Sequence, residues 1–275
     1  RVILVDDGSS DATENLLRNL AASDPAFVAV LLSRNFGHQL ALSAGLSKVD
    51  ASEAIFILDG DLQDPPELLD KFYGHISAGY DVVYAVRRKR KENVLKRSAY
   101  AFFYRTLRRI SYIDFPLDSG DFSMVSRRVV DHLNAMPEES RFLRGMRSWL
   151  GFRQIGVPYE RSERAEGESK YSFTKLFKLA MNGIFNFSEL PIRLVAYLGG
   201  GAVVVSGLYL IITLIKRFFF GTVPEGFTAI IGTIVLFGGM QLLAIGVIGE
   251  YILRIFFQVK GRQLFIIKEV VDAHE

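Results

Sequence analysis

The sequence of 275 residues contains no cysteine, which excludes disulfide bridges and thiolate metal sites. Histidine is also scarce: the four histidines are scattered and show no His-Glu-x-x-His spacing of the zinc hydrolases. Charge of one sign is not in excess, because 33 Lys and Arg face 30 Asp and Glu for a net charge of +3. A nucleic-acid-binding protein usually carries a basic stripe, so we predict no nucleic-acid partner.

The chain begins without Met, inside the apolar run Val2 to Val5. We therefore expect that the true N-terminus is absent and that a first strand is missing. No signal peptide is visible. The length suffices for one α/β domain of catalytic size and a smaller second part.

An acidic motif follows a buried-type strand in the first quarter of the chain. The apolar residues Ile55 to Leu58 predict the strand, and Asp59, Asp61, Gln63 and then Asp64 come directly after it. Carboxylates packed this closely repel one another unless a cation lies between them, and a hard divalent cation prefers oxygen ligands. We predict a metal site, with a solvated acidic turn as the alternative.

Strands and helices alternate along the first part of the chain, which predicts a parallel sheet covered by helices. Ligands bind at the carboxyl ends of the strands in such sheets. Asp6 and Asp7 stand at one such end and are candidates for contacts to a nucleotide base or ribose. Arg34 and Asn35 precede a helix and suit an anion, although an ordinary loop is equally compatible with this segment.

Further polar segments lie between apolar segments in the middle of the chain. A basic run begins at Arg87 after a predicted strand, and Arg97 follows at the start of an aromatic helix. Asp118 and Asp121 flank a Ser-Gly pair, which indicates either a second site loop or a plain turn. The polar stretch 160–171 reads as a mobile loop whose cations are available to a phosphate.

The C-terminal third differs from the rest in containing two long uncharged apolar runs, Leu194 to Ile215 and Thr228 to Gly249. The first extends roughly 33 Å as a helix, at about 1.5 Å per residue, which is enough to cross a hydrocarbon core. A short connection joins the two runs, so we predict a transmembrane hairpin. Apolar residues at helical spacing before the first run predict a helix in the membrane interface.

Basic residues flank the outer ends of the predicted hairpin, which predicts that both chain termini lie in the cytoplasm. We divide the chain into a catalytic domain (1–165), interfacial helices (166–192), a transmembrane hairpin (193–257) and a cytoplasmic tail (258–275). The flanking cations are Arg193, Arg254, Lys260, Arg262 and Lys268.

Six segments together resemble the motifs of one enzyme family. They are Val5-Asp-Asp-Gly-Ser-Ser-Asp11, Arg34-Asn-Phe-Gly-His-Gln39, Leu58-Asp-Gly-Asp-Leu-Gln-Asp-Pro-Pro-Glu67, Ser119-Gly-Asp-Phe122, Gly167-Glu-Ser-Lys-Tyr171 and Gly246-Val-Ile-Gly-Glu-Tyr251. The chain resembles the family 2 glycosyltransferases of the GT-A fold, specifically the polyprenyl-phosphate glycosyltransferases. These include dolichol-phosphate mannose synthases and bacterial undecaprenyl-phosphate glucosyltransferases.

The resemblance implies a fold and a set of site residues. The fold is an α/β GT-A domain, Rossmann-like with a mostly parallel sheet, followed by interfacial helices and a two-helix transmembrane hairpin. The family's first-strand motif, similar to Pro-x-Tyr-Asn-Glu, is absent, so we expect part of the nucleotide pocket to be missing. The implied roles are nucleotide-sugar binding by Asp6, Asp7, Arg34 and Asp59; Mg²⁺ or Mn²⁺ binding by Asp59, Asp61 and Gln63; lipid-phosphate or diphosphate binding by Arg87, Arg97, Arg164 and Lys170; and catalysis by Asp61, Asp118 and Asp121.

The implied reaction is inverting transfer of a sugar, glucose from UDP-glucose in first place, to undecaprenyl phosphate at the cytoplasmic face of a bacterial inner membrane. A phosphate monoester is already an anionic nucleophile at neutral pH, so Asp118 and Asp121 are expected to position groups more than to abstract a proton. The alternatives are transfer from GDP-mannose and a non-catalytic membrane scaffold. A processive polysaccharide synthase is disfavoured because the sequence has no Gln-x-x-Arg-Trp motif. The sequence leaves a homo-oligomer open.

Overall fold

The computed structural model describes residues 1–61, 63–87, 119–139, 141–160, 190–220 and 226–274. These residues fall into two compact units. The first takes in the residues up to 160 and the segment from Gly261 onward, and the second takes in the residues from Leu190 to Lys260.

The first unit contains seven strands and five helices within the described ranges. The strands are β1 (Val2–Asp6), β2 (Phe27–Leu32), β3 (Ala54–Ile57), β4 (Val82–Arg87), β5 (Ser119–Ser126), β6 (Gln154–Tyr159) and β7 (Ile267–Asp272). The helices are α1 (Thr13–Ser23), α2 (His38–Ser47), α3 (Leu69–Ser77, after a 3₁₀ turn at Pro66–Leu68), α4 (Arg127–Ala135) and α5 (Leu143–Trp149).

The first sheet has the strand order β1-β2-β7. β1 runs parallel to β2, and β7 runs antiparallel to β2 on its other edge. Ala29 and Leu31 pack against Ala21 of α1, whereas Val30 packs on the other face against Ala44 of α2. Because β2 is buried on both faces, its sequence is a continuous apolar run and not an alternating one.

The second sheet has the strand order β3-β5-β4-β6. β5 lies antiparallel between β3 and β4, and β6 runs parallel to β4. One face carries an aromatic cluster in which the ring centroids of Phe56, Phe72 and Phe122 lie 5.4–5.7 Å apart. The other face, with Val82 and Val125, packs against α4 and α5. The aromatic cluster fixes Phe122 toward α3, so its neighbour Asp121 points to the opposite face.

The α/β class is confirmed, and the sheets are mixed: of the five strand pairings among the described residues, two are parallel and three antiparallel. Two segments differ from their expected form. The segment that begins at Ser119 forms β5 and is not a turn, because its alternate residues Phe122 and Met124 are buried in the core. The expected C-terminal tail contains β7, whose Val270 and Val271 pack on β2.

The second unit consists of two long helices, α6 (Leu190–Phe220) and α7 (Phe227–Lys260), which contact each other. Segments Leu190–Thr213 and Leu236–Lys260 are long and apolar enough to span a membrane, and none of either hydropathy window is buried. Exposed apolar side chains are numerous, for example Tyr197 at 75% and Leu242 at 71%. Such surface is unfavourable in water, so the two helices indicate association with a membrane, as the sequence predicted. The predicted interfacial helices at 166–192 lie almost wholly outside the described residues.

Candidate active site

The acidic motif begins where β3 ends. β3 stops at Ile57, and Asp59 and Asp61 follow in a turn in which the Gln63 N–H donates to Asp61 Oδ1 at 3.2 Å. Asp59 is partly buried, and burial raises the pKa of its carboxyl group. His38 opposes that rise in pKa, whereas the negative charges of neighbouring carboxylates add to it. Those carboxylates belong to Asp121, Asp64 and Asp61.

Asp64 is part of the same motif but is turned into the protein. Its side chain is only 2% exposed, and the hydroxyl of Tyr159 on β6 donates to Asp64 Oδ1 at 2.6 Å. Asp64 therefore anchors the acidic turn to the second sheet.

A buried carboxylate, Asp121 on β5, gathers side chains from two helices. Arg144 of α5 donates through Nε to Oδ1 and through Nη2 to Oδ2, both at 2.9 Å. Gln39 of α2 donates to Oδ2 at 3.0 Å, and His38 Nε2 lies 3.1 Å from the same oxygen. Burial alone would raise the pKa of Asp121, but the charge of Arg144 and the hydrogen bonds from His38 and Arg144 hold it well below its usual value. Asp121 is thus an ionised anchor.

His38 links this anchor to the acidic motif. Its Nε2 also lies 3.7 Å from Asp59 Oδ1. The hydrogen bond to Asp121 raises the pKa of His38 and outweighs the opposing effect of burial, while the charges of Asp121 and Asp59 add to the rise. The imidazole therefore lies between the carboxylate of Asp59, which follows β3, and the carboxylate of Asp121 on β5, and it joins the ends of these strands in one site.

The acidic motif fits a divalent cation of the magnesium type. Within the described ranges no group of three or more His, Asp or Glu side chains is placed to hold a metal ion. Mg²⁺ is commonly held by one or two carboxylates, with waters and substrate phosphates completing an octahedron. Asp59 and Asp61 offer two carboxylates and Gln63 an amide oxygen. Burial is the main cause that raises the pKa of Asp59 and the neighbouring carboxylates add to it; a cation would oppose both effects.

The loop after β1 packs against the loop after β2. Asp7 accepts hydrogen bonds from the backbone N–H groups of Phe36 at 2.7 Å and Gly37 at 2.9 Å. Gly8 has φ +68°, and a Cβ there would lie 2.4 Å from the carbonyl carbon of Arg34. Only glycine allows the two loops to approach this closely. Asp6 is buried and accepts from the Ser9 N–H at 3.2 Å.

Asp7 occupies backbone donors at the start of α2, where we expected an external anion. Arg34 is exposed; it donates to the Asn35 carbonyl at 3.0 Å and stacks on the Phe36 ring at 3.9 Å. Contact of Asp6, Asp7 and Arg34 with a nucleotide stays a prediction. The loop architecture that holds them is set by Asp7 and Gly8.

Comparison with known proteins identifies the family. Residues 1–133 match the pattern described as Glycosyl transferase family 2. The uncharacterized glycosyltransferase YkcC of Bacillus subtilis (strain 168) is 42% identical over 272 residues, which cover 98% of this chain and 83% of that protein. The chain belongs to glycosyl transferase family 2.

Other relatives carry more specific names. The SfII prophage-derived bactoprenol glucosyl transferase of Shigella flexneri is 39% identical to this family 2 glycosyltransferase over 269 residues, 98% of this chain and 87% of that protein. The prophage bactoprenol glucosyl transferase homolog of Escherichia coli (strain K12) is 38% identical over 270 residues, 98% of this chain and 88% of that protein.

Part of the predicted site of this family 2 glycosyltransferase lies outside the described residues. Asp118, Arg97, Arg164 and Lys170 belong to that part. Arg87 is the last residue of β4, and its side chain is not described. Their roles stay predictions. The structure brings together Asp59, Asp61, Gln63 and Asp121. It places Asp6 at the end of β1, and Asp7 and Arg34 on the two adjoining loops of the first sheet.

Sequence reasoning did not assign three side chains that the structure brings to the site: His38, Gln39 and Arg144. His38 and Gln39 stand in a segment that carried the family resemblance, so that segment held a signal. Arg144 follows the aromatic Phe142 in a basic stretch, and no local pattern distinguishes it from a surface arginine.

Proposed function

We propose that this family 2 glycosyltransferase transfers glucose from UDP-glucose to a polyprenyl phosphate, undecaprenyl phosphate, in the bacterial inner membrane. The observation that carries the proposal is the extent of its likeness to proteins named bactoprenol glucosyl transferase. Four such proteins, from Shigella flexneri and its phages, are 38–39% identical over 97–98% of this chain. That span includes the two apolar helices, which suit a lipid acceptor.

The chemistry of the acceptor agrees with the state of Asp121. A phosphate monoester has a second pKa of about 6, so it is largely a dianion at neutral pH and needs no general base. Both Asp121 oxygens accept hydrogen bonds from Arg144, and the pKa of Asp121 is held well below its usual value. Asp121 therefore positions Arg144 and His38 and does not take a proton.

The reaction is a single displacement with inversion. A phosphate oxygen of the lipid forms a bond to the anomeric carbon as the bond from that carbon to the nucleoside diphosphate breaks. The electron pair of that bond leaves with the diphosphate. Asp59, Asp61 and Gln63 would hold Mg²⁺ or Mn²⁺, which supplies positive charge against the charge that grows on the departing diphosphate.

The remaining residues are assigned by charge. Asp6, Asp7 and Arg34 contact the nucleotide, and Asp118 joins Asp121 in positioning. Four cations bring the two anionic substrates together: Arg87, Arg97, Arg164 and Lys170. Basic residues at the outer ends of the helical pair keep the catalytic domain and both chain ends on the cytoplasmic side.

The test is transfer of radiolabelled sugar to an organic-extractable lipid. The full chain is given undecaprenyl phosphate and Mg²⁺ with labelled UDP-glucose, UDP-galactose or GDP-mannose in turn, with and without EDTA. We expect label in the lipid from UDP-glucose, and its loss in EDTA. Label from another donor alone would overturn the sugar assignment, and transfer that survives EDTA would overturn the metal assignment.

A variant pair separates catalysis from scaffolding. Asp61→Asn is expected to abolish transfer while the protein stays folded, because it removes one of two carboxylates from the proposed metal site. Asp70→Asn changes an exposed carboxylate of α3 and serves as the matched control. A non-catalytic scaffold predicts that neither variant differs from the wild type.

A further inference from the structure

A second arginine lies directly behind the Asp121 anchor. Arg144 and Arg147 are three residues apart on α5, so they share one face of the helix. Asp121 and Ser123 are two residues apart on β5 and also share one face. The two faces pack together through two side-chain contacts. Arg144 binds Asp121, and Arg147 donates from Nη1 to Ser123 Oγ at 2.7 Å.

Arg147 is buried with most of its donors unused. Its side chain is 4% exposed, and in the part of the chain that the structure describes its Nε and Nη2 have no hydrogen-bond partner. Burial lowers the pKa of Arg147 to about 10, a value at which the guanidinium remains charged at neutral pH. A buried cation with so few partners is unfavourable for folding, which points to a use outside folding.

Arg147 adds a second permanent positive charge beside Asp121. Among the described residues, Asp121 and, less strongly, Tyr84 attract Arg147, whereas Arg144, which binds the same carboxylate, repels it. The charge of Arg147 is screened weakly because the group is buried. The same cluster reaches the acidic motif through His38, which lies 3.7 Å from Asp59 Oδ1.

We propose that Arg147 is a positioning residue whose buried charge keeps Arg144 and its surroundings positive toward the diphosphate of the donor. Asp121 holds Arg144 in place, and Arg147 offsets the negative charge that Asp121 brings. This inference rests on the proposed function, in which a nucleoside diphosphate occupies the site. Arg147 acts through its charge on Asp121 and Arg144, Ser123 only accepts its hydrogen bond, and Arg147 does not touch the substrate.

The test uses the full chain purified in detergent. It measures ligand affinity, which responds to the charge of Arg147, and thermal stability, which responds to its packing. Calorimetric titrations with UDP and with uridine report the affinity for the diphosphate and for the uncharged nucleoside. Arg147→Met is expected to bind UDP about tenfold more weakly than the wild type and uridine equally well, since only the diphosphate responds to the charge. Arg147→Lys retains the charge and is expected to bind UDP within about threefold of the wild type.

Thermal unfolding supplies the readout that a merely structural role would not produce. Arg147→Met should melt at or above the wild-type temperature, because an apolar side chain replaces a poorly compensated buried charge. Ser123→Ala keeps the charge but removes the acceptor of Arg147, so it should melt lower and still bind UDP like the wild type. Arg153→Met, which removes an exposed cation stacked on Tyr80, is the matched control and should leave UDP affinity unchanged.

Two results would overturn the proposal: UDP affinity unchanged in Arg147→Met, or equal loss of UDP and uridine affinity together with a lower melting temperature. Failure of the proposed function gives a different set of results: the wild type binds UDP and the Arg147 variants behave as described, but no sugar is transferred to the lipid.

Discussion

Replacing Asp121 by asparagine is expected to destabilise the first of the two units, which contains both sheets, by about 2–4 kcal/mol. The substitution keeps the size of the side chain but removes the charge that faces Arg144. Three donors converge on Oδ2, one each from His38, Gln39 and Arg144, and Arg144 Nε donates to Oδ1. The amide nitrogen of asparagine must face donors in either orientation, so at least one hydrogen bond becomes a repulsion.

The expected loss of stability in Asp121→Asn follows from the burial of the ion pair between Asp121 and Arg144. Removing one partner of a buried ion pair costs about 3–5 kcal/mol when the other partner stays buried. Asp121 is 7% exposed, but the Arg144 side chain is 30% exposed and regains water, which moves the expected cost toward the lower end of that range. For a domain of this size the loss corresponds to a fall in melting temperature of roughly 5–12 °C.

Thermal unfolding of the full chain in detergent measures the effect. Asp131→Asn is the control, because that exposed carboxylate pairs with Arg127 one helical turn away and should change the melting temperature by only about 1–2 °C. Arg144→Met combined with Asp121→Asn should recover part of the loss, since neither charge is then left alone. A melting temperature for Asp121→Asn within about 2 °C of the wild type would refute the anchor described above.

Three further predictions follow from the same contacts. The pKa of Asp121 is lowered in the folded state, so its stabilising effect is complete above the unfolded value of about 3.9 and is lost as the pH falls. The gap in melting temperature between the wild type and Asp121→Asn should accordingly be full at neutral pH and narrow below pH of about 4; a constant gap would contradict the assignment. Gly8→Ala should destabilise by about 1–3 kcal/mol in thermal unfolding, because the new Cβ meets the Arg34 backbone at positive φ, whereas Gly60→Ala has open space and should be nearly neutral. Tyr159→Phe leaves a buried Asp64 oxygen without its hydroxyl donor and should cost about 1–3 kcal/mol in the same measurement, and an unchanged melting temperature would show that the hydrogen bond contributes nothing.

Local sequence patterns predict a strand or helix correctly where burial is uniform along that element. β2, Phe27–Leu32, coincides with a continuous apolar run in the sequence, because both of its faces are covered. The two long helices are equally predictable from the sequence, since a long uncharged run has few alternatives to a membrane span. The position of Asp59 and Asp61 just after a strand is likewise predicted by the apolar run that precedes them.

Patterns failed where a residue's role depends on a distant partner. The polar residues around Asp121 predict a site loop or a turn, but in the structure Asp121 and Ser123 face the arginines of α5 and not water. The segment Ile267 to Asp272 mixes apolar and charged residues, which predicts a tail; it forms β7 because it pairs with β2, a partner strand that lies near the other end of the chain. Arg147 gave no local signal at all, because its significance comes from burial behind β5.

The position of β7 also orders events during synthesis. β2 ends at Leu32, and the strand that covers its free edge begins at Ile267, after both apolar helices. At about 5–20 residues per second the ribosome adds β7 roughly 10–50 seconds after β2 has emerged. Until then β2 presents an unpaired edge, which is a site for incorrect pairing with other chains. The first sheet is therefore complete only after both apolar helices have been synthesised.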